Sequence, residues 1–179
     1  MVRFLSFLKL VLVLTALMFA TWFLSRTFLP HGLLRGYFAR LFSTRVGEFT
    51  FWRVFLTNLF PFLGIQFMNL FRGAKHPGGW YVLPIFWILL GIIYGTNSLV
   101  FVGEPIPFSI SVLWQRTGYM ELLAYTFGFE ASRNWALWEG FFRSRRIEGA
   151  KWDPQVQDWL YWTAGLLLLV LAAVREVSR

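Results

Sequence analysis

Apolar residues along this chain gather into five long runs separated by short polar breaks. Runs of roughly 20 apolar residues read as membrane-crossing helices. The first covers residues 5–24, and its one charge, Lys9, lies close enough to the N-terminal end to snorkel to the headgroups. A cleaved signal peptide is the competing reading, but no small-residue cleavage site follows and Trp22, Phe23 and Leu24 occupy the exit, so an uncleaved anchor is expected. The second run, 54–71, carries Asn58, Pro61, Gly64, Gln66 and Asn69. At about 100° per residue Asn58 and Asn69 fall within about 20° of each other, with Gln66 nearby, and such a stripe should face protein rather than lipid. The third, 80–102, has no charged residue; it holds Gly91 and Gly95 on one face, where another helix can approach closely, and then Asn97. The fourth, 108–129, is the least hydrophobic, with Gln115, Arg116 and Glu121 inside it. The fifth, 157–174, follows Asp153-Pro154, which reads as an N-cap and a first-turn proline, and begins with Trp159, Tyr161 and Trp162 at the level of a headgroup belt.

Two further segments have helical spacing but a polar face. In residues 31–46, Leu33, Leu34, Tyr37, Phe38, Leu41 and Phe42 form one stripe, with Arg35, Gly36, Ala39, Arg40 and Ser43 opposite. In residues 133–146, Trp135, Trp138 and Phe142 share a side, and the segment ends in Arg143, Arg145 and Arg146. Both read as helices lying in the interface plane, with Arg35, Arg40, Arg143, Arg145 and Arg146 at lipid headgroups. For 31–46, a helix packed on another subunit is the alternative. The pattern as a whole predicts an all-α integral membrane protein, a single membrane domain over residues 1–179. It is a bundle of about five transmembrane helices with one or two interfacial amphipathic helices.

Composition sharpens this picture. Of 179 residues, 57% are hydrophobic, 21% aromatic and only 15% charged, too few charges to solvate a globular surface, which excludes a soluble enzyme. The absence of cysteine removes thiolate metal sites, disulfides and thiol nucleophiles. A net charge of +8 points to anionic lipid headgroups before nucleic acid. The basic residues are spread over loops on opposite sides of the membrane, and only a small excess favours a cytoplasmic N-terminus. Ten Trp and 21 Phe exceed what two interfacial belts require, so bound lipid is expected. A groove for carotenoid, chlorophyll or quinone is the sharper version of the same idea. No spacing marks a cofactor box, so no cofactor is predicted outright.

Glu121 is the first candidate for chemistry. A carboxylate in hydrocarbon is costly and should face the bundle interior or a wet cavity. Thr117, Gly118, Ala124, Tyr125 and Gly128 share its face, a small-and-polar stripe on which Thr117 and Tyr125 can reach the carboxyl group. Arg116, five residues away, is turned by about 140° on a continuous helix and is not a same-face partner. A carboxyl tying two helices together is the bland account of Glu121, an ion or proton site the sharp one. Asn58, Gln66 and Asn69 pose the same choice, such amides being more often interhelical ties than a substrate site; with Glu121, Thr117, Tyr125, Asn97 and Arg116 they make up the expected intramembrane polar cluster. His31 and His76 lie in loops beside proline or glycine, where isolated histidines are usually solvated. No hydrolase triad, phosphate loop or dinucleotide fingerprint is present, so catalytic residues and metal ligands are not expected.

Residues 55–131 resemble the stage II sporulation protein M family of integral membrane proteins. The resemblance rests on Thr57-Asn58, Gly78-Gly79, Leu83-Pro84, Gly91 with Gly95 and Asn97, and above all Thr117-Gly118-Tyr119-Met120-Glu121-Leu122. The family shows a Pro-His-Gly-x-x-Glu-Leu block at this last place, followed by a helix rich in small residues, matched here by Ala124, Gly128 and Ala131. Thr117 stands at the histidine position and Arg116 at the proline position, which removes an ionisable partner four residues before the carboxylate. The resemblance implies a multi-pass protein of a bacterial or archaeal cytoplasmic membrane, and in spore formers a role in a cell-wall remodelling complex.

The expected function is a non-enzymatic scaffold or accessory subunit of a larger membrane assembly. Its expected partners are other integral membrane proteins and anionic lipids. The alternatives are a small transporter or channel using Glu121 and the second-span amides, and a pigment- or quinone-binding accessory subunit of a photosynthetic or respiratory complex.

Overall fold

The structure, a computed structural model, describes residues 2–37, 50–73, 75–99, 106–141 and 144–178. It is predominantly helical: α1 (Val2–Phe28), α2 (Phe51–Asn69), α3 (Gly79–Gly95), α4 (Ile110–Gln115), α5 (Thr117–Ser132) and α6 (Val156–Val177). Three two-residue strands, β1 (Phe71–Arg72), β2 (Trp138–Glu139) and β3 (Arg145–Arg146), form a small sheet in that order. Two stretches, Arg3–Phe28 and Val156–Val177, are long and apolar enough to cross a membrane; the apolar helix α3 is shorter. By contacts the chain divides into two compact units, Met1–Phe49 with Ile85–Gly118, and Thr50–Pro84 with Tyr119–Arg179.

In the first unit α1 and α3 pack through glycine. A Cβ on Gly91 would lie 2.6 Å from the Met18 carbonyl oxygen, and one on Gly95 would lie 2.6 Å from the Trp22 carbonyl oxygen. Only a hydrogen fits at either place. Trp22 fills the space beside this seam, stacked on Phe19 and meeting Tyr94 and Phe108 edge-on. The helix α1 ends where Leu29 precedes Pro30, a position disfavoured for α geometry, and Gly32 then turns the chain at φ +73°. The helix α3 ends in a Schellman arrangement: Asn97 sits at φ +51°, its N–H donates to the Tyr94 carbonyl, and the Ser98 N–H donates to the Ile93 carbonyl.

In the second unit α2, α5 and α6 share an apolar core. The caps are local. The Thr50 hydroxyl oxygen accepts from the Arg53 N–H at the start of α2. At the start of α6, Gln155 and Asp158 form a capping box in which the Gln155 N–H donates to Asp158 Oδ2 at 2.9 Å. Phe62 on α2 lies fully buried where both neighbouring helices carry glycine. A Cβ on Gly128 of α5 or Gly165 of α6 would come within 2.6 Å and 2.7 Å, respectively, of the same Phe62 Cε2.

Several elements differ from the sequence expectation. The run 108–129 is not one helix: Arg116 is extended (φ −101°, ψ 140°) between α4 and α5. The break leaves the guanidinium exposed rather than enclosed by an apolar helix. The angular argument separating Arg116 from Glu121 therefore has no continuous helix to act on. The third run stops at Gly95, because Asn97 takes a left-handed conformation that its short polar side chain tolerates; residues 100–105 lie outside the described residues. Among the described residues of 133–146 none is helical, and Phe142 and Arg143 lie outside them. Gly140 at φ +81° turns the chain between β2 and β3, so aromatics spaced three apart there reflect turn and strand rather than helix. The cap of α6 is Gln155 rather than Asp153, and Pro154 precedes the cap. Of the segment 31–46, residues 35–37 are helical and 38–46, including Arg40, lie outside the described residues.

The two kinds of glycine give a direct test. Gly95→Ala should destabilise the protein by about 1–3 kcal/mol, since its methyl would meet backbone that cannot yield. Gly64→Ala, in the interior of α2 with no atom within 4 Å of a new Cβ, should be neutral or stabilise by up to about 1 kcal/mol. Thermal melts of both variants in mild detergent measure the difference, and equal shifts would sink the account of the seam.

Candidate functional site

The sequence-predicted polar residues separate into distinct groups. At one place in the second unit, α2 offers Asn58 and α5 offers Glu121 and Tyr125. Asn58 Nδ2 donates to Glu121 Oε1 at 2.6 Å, and the Tyr125 hydroxyl donates to Asn58 Oδ1 at 3.0 Å. Asn58 is thus the middle of a short polarised chain, and Tyr125 reaches the carboxyl group through it rather than directly. Glu121 and Tyr125 are four apart on α5, so both face α2. Glu176, near the end of α6, is a second carboxylate whose charge acts on Glu121. Next to Glu121, Met120 Sδ accepts from Arg175 Nη1 at 3.8 Å. A carboxylate, a carboxamide and a phenol in this order can hold a proton or a cation. They do not make a nucleophile with its base.

Asn69, on the same face of α2, has a different task. Fully buried, its Nδ2 donates to the Phe129 carbonyl at 3.2 Å and to the Ser132 hydroxyl at 2.8 Å, and its Oδ1 accepts from the Gly79 N–H at 2.8 Å. Ser132 in turn donates to the Gly128 carbonyl. Gln66 donates to the Phe62 carbonyl one turn back on its own helix. These amides are ties between and within helices.

Asn97, Thr117 and Gly118 belong to the first unit. Asn97 Oδ1 accepts from the Ile106 N–H at 2.6 Å, and its Nδ2 lies 3.1 Å from His31 Nδ1. Ser98 Oγ accepts from the Leu34 N–H, and Arg26 donates to the Ile106 carbonyl. Asn97 is therefore a helix terminator that pins two loops, not a member of an in-helix polar stripe. Thr117 is buried at the first turn of α5, and a Cβ on Gly118 would lie 3.0 Å from Leu90 and from the Tyr94 hydroxyl. Of the headgroup arginines, Arg35, Arg145 and Arg146 are exposed; Arg40 and Arg143 lie outside the described residues.

Three features escaped the sequence reading. Glu130, on α5, is fully buried, and its carboxylate lies 3.1 Å from the Arg133 guanidinium. Asp158 is buried in its capping box. Their i,i+3 relations to Arg133 and Gln155 were the available signals. The third feature is an open cleft of about 420 Å³ lined by Arg72, Gly73, Tyr81, Glu139, Gly140 and Phe141. It is built on strands of two residues, too short to leave any periodicity. Among the described residues no group of three or more His, Cys, Asp or Glu is placed to hold a metal ion.

Compared with known proteins, the chain matches no family model, no curated protein and no solved structure.

The two amides predict different mutational costs. Glu121→Gln keeps an acceptor for Asn58 and should cost under about 1 kcal/mol, whereas Glu121→Leu leaves the Asn58 amide without its partner and should cost about 1–3 kcal/mol. Asn69→Leu strands the Gly79 N–H at the start of α3 and the Phe129 and Ser132 acceptors at the end of α5, and should cost more than Glu121→Leu. Detergent-resistant melting temperatures rank the three, and an Asn69→Leu protein as stable as the parent would contradict the assignment.

Proposed function

We propose that this chain is a non-enzymatic, multi-pass membrane scaffold or accessory subunit of a larger membrane assembly, resembling stage II sporulation protein M-like proteins. The observation that carries the proposal is the way polar and apolar groups are distributed. Apolar side chains stand outward along the helices, with Phe60 82% exposed, Leu12 68% and Leu160 65%. The amides of α2, Asn58, Gln66 and Asn69, are turned inward, two of them to Asn58–Glu121 and Asn69–Ser132 contacts, while Arg53 and Thr57 near its start are exposed. That inversion of a soluble protein's surface suits lipid or a partner's apolar face. Helices α1, α2, α3, α5 and α6 are the proposed crossings. The location is a bacterial or archaeal cytoplasmic membrane, with anionic lipids and other integral membrane proteins as partners.

One observation favours a second reading, a small transporter or channel: Glu121, only partly buried, lies within the field of Glu176 and is hydrogen-bonded by Asn58. The two readings separate in one preparation. A scaffold retains other membrane proteins through purification in mild detergent and gives proteoliposomes no flux above empty vesicles. Proton- or cation-driven flux abolished by Glu121→Gln, with folding intact, would replace the scaffold by the transporter. A coloured preparation or extractable quinone would instead point to a pigment- or quinone-carrying subunit.

A further inference from the structure

The cleft beside the small sheet carries chemistry that the interhelix ties leave unused. Tyr81, in the first turn of α3, and Phe141, just after β2, provide two of its walls, with ring centroids 6.3 Å apart and planes at 87°. Of two rings set nearly perpendicular, the one whose face lines the cleft can attract an alkylammonium group, and the other closes the space beside it. Arg72 and Glu139 line the same cleft and are direct neighbours in the parallel pairing of β1 with β2. Both are exposed, and among the described residues neither side chain is engaged in a hydrogen bond or ion pair. Glycine keeps the space open: a Cβ on Gly73 would strike the Tyr81 ring at 2.8 Å, and Gly140 turns at φ +81°.

The two charges call for opposite partners. A guanidinium takes a phosphate through paired donors. A carboxylate beside aromatic faces takes an ammonium. Neighbouring strands lie about 4.8 Å apart, a gap that a phosphate ester joined to an ammonium through two carbons can bridge. A volume of about 420 Å³ admits such a group. Arg145 flanks Glu139 from β3, and Lys75 and Arg146 are also exposed, so a purely basic surface that prefers anionic lipid is the rival to be tested.

We propose that this cleft binds a phosphoethanolamine group, with the phosphate on Arg72 and the ammonium between Glu139, Tyr81 and Phe141. The lipid source of that group, phosphatidylethanolamine, rests on the membrane reading above; the recognition chemistry does not.

The full chain in detergent is offered equal phosphatidylethanolamine and phosphatidylglycerol, and retained lipid is read by native mass spectrometry. Water-soluble glycerophosphoethanolamine and glycerophosphate are titrated separately, followed by tryptophan fluorescence. The expected result is about tenfold preference for the ethanolamine form in both experiments, lost in Glu139→Gln and in Phe141→Leu, while Arg72→Gln weakens both lipids. Should Phe141→Leu fail to fold, the exposed and isosteric Glu139→Gln decides alone. Equal or better retention of phosphatidylglycerol, or a preference unchanged in Glu139→Gln, overturns the proposal in favour of the basic surface. A chain soluble without detergent that still binds glycerophosphoethanolamine through Glu139 overturns the membrane reading and keeps this one. A chain that floats with vesicles but shows no Glu139-dependent preference does the reverse.

Discussion

The Asn69 carboxamide fixes three segments of the second unit relative to one another. Its donors hold the last turn of α5, through Phe129 and Ser132, and its acceptor holds the first residue of α3, Gly79. Apolar contact between helices is non-directional, so burial alone sets no register among them. A fully buried amide does, because any slide or rotation of α2 leaves donors and acceptors unmatched. Asn58, Phe62 and Gln66 then face inward by helical phase. Directly after α2, the Leu70 carbonyl accepts from the Leu137 and Trp138 N–H groups, so the strand pairing and the cleft it frames inherit their position from the same anchor.

The first unit solves the equivalent problem with backbone and glycine. Gly91 and Gly95 bring α3 against the carbonyls of α1, and the left-handed Asn97 closes the helix while its side chain reaches Ile106 and His31. Close approach there strengthens dispersion along the whole seam, and the loops are held by a few bonds at one helix end rather than by a core of their own.

What the sequence disclosed and what it hid divide along physical lines. Helical character was legible wherever about 20 apolar residues ran together, and the inward phase of Asn58, Gln66 and Asn69 followed from spacing alone. The break at Arg116 was hidden because hydropathy averages over a window and leaves no trace of a single extended residue. The sheet was hidden because two-residue strands have no period, and Trp135 and Trp138, three apart, read as the start of a helical stripe although they lie in loop and strand. Asn97 was misplaced for a related reason: an asparagine after a glycine-bearing helix is as suited to ending it as to lining it. Glu121 drew attention as a lone carboxylate in an apolar run. Glu130, more deeply buried, did not, because Arg133 three residues later gave it the look of an ordinary surface pair.

Phe62 joins residues remote in sequence into one steric unit. Its ring occupies space that exists only because Gly128 and Gly165 lack side chains. A change at any of the three alters what the other two tolerate: a smaller residue at 62 opens room for alanine at 128 or 165, and a larger one at either glycine demands a smaller ring. Among homologous chains, positions 62, 128 and 165 should therefore drift as a correlated triple, an evolutionary signature of α2, α5 and α6 meeting at one point.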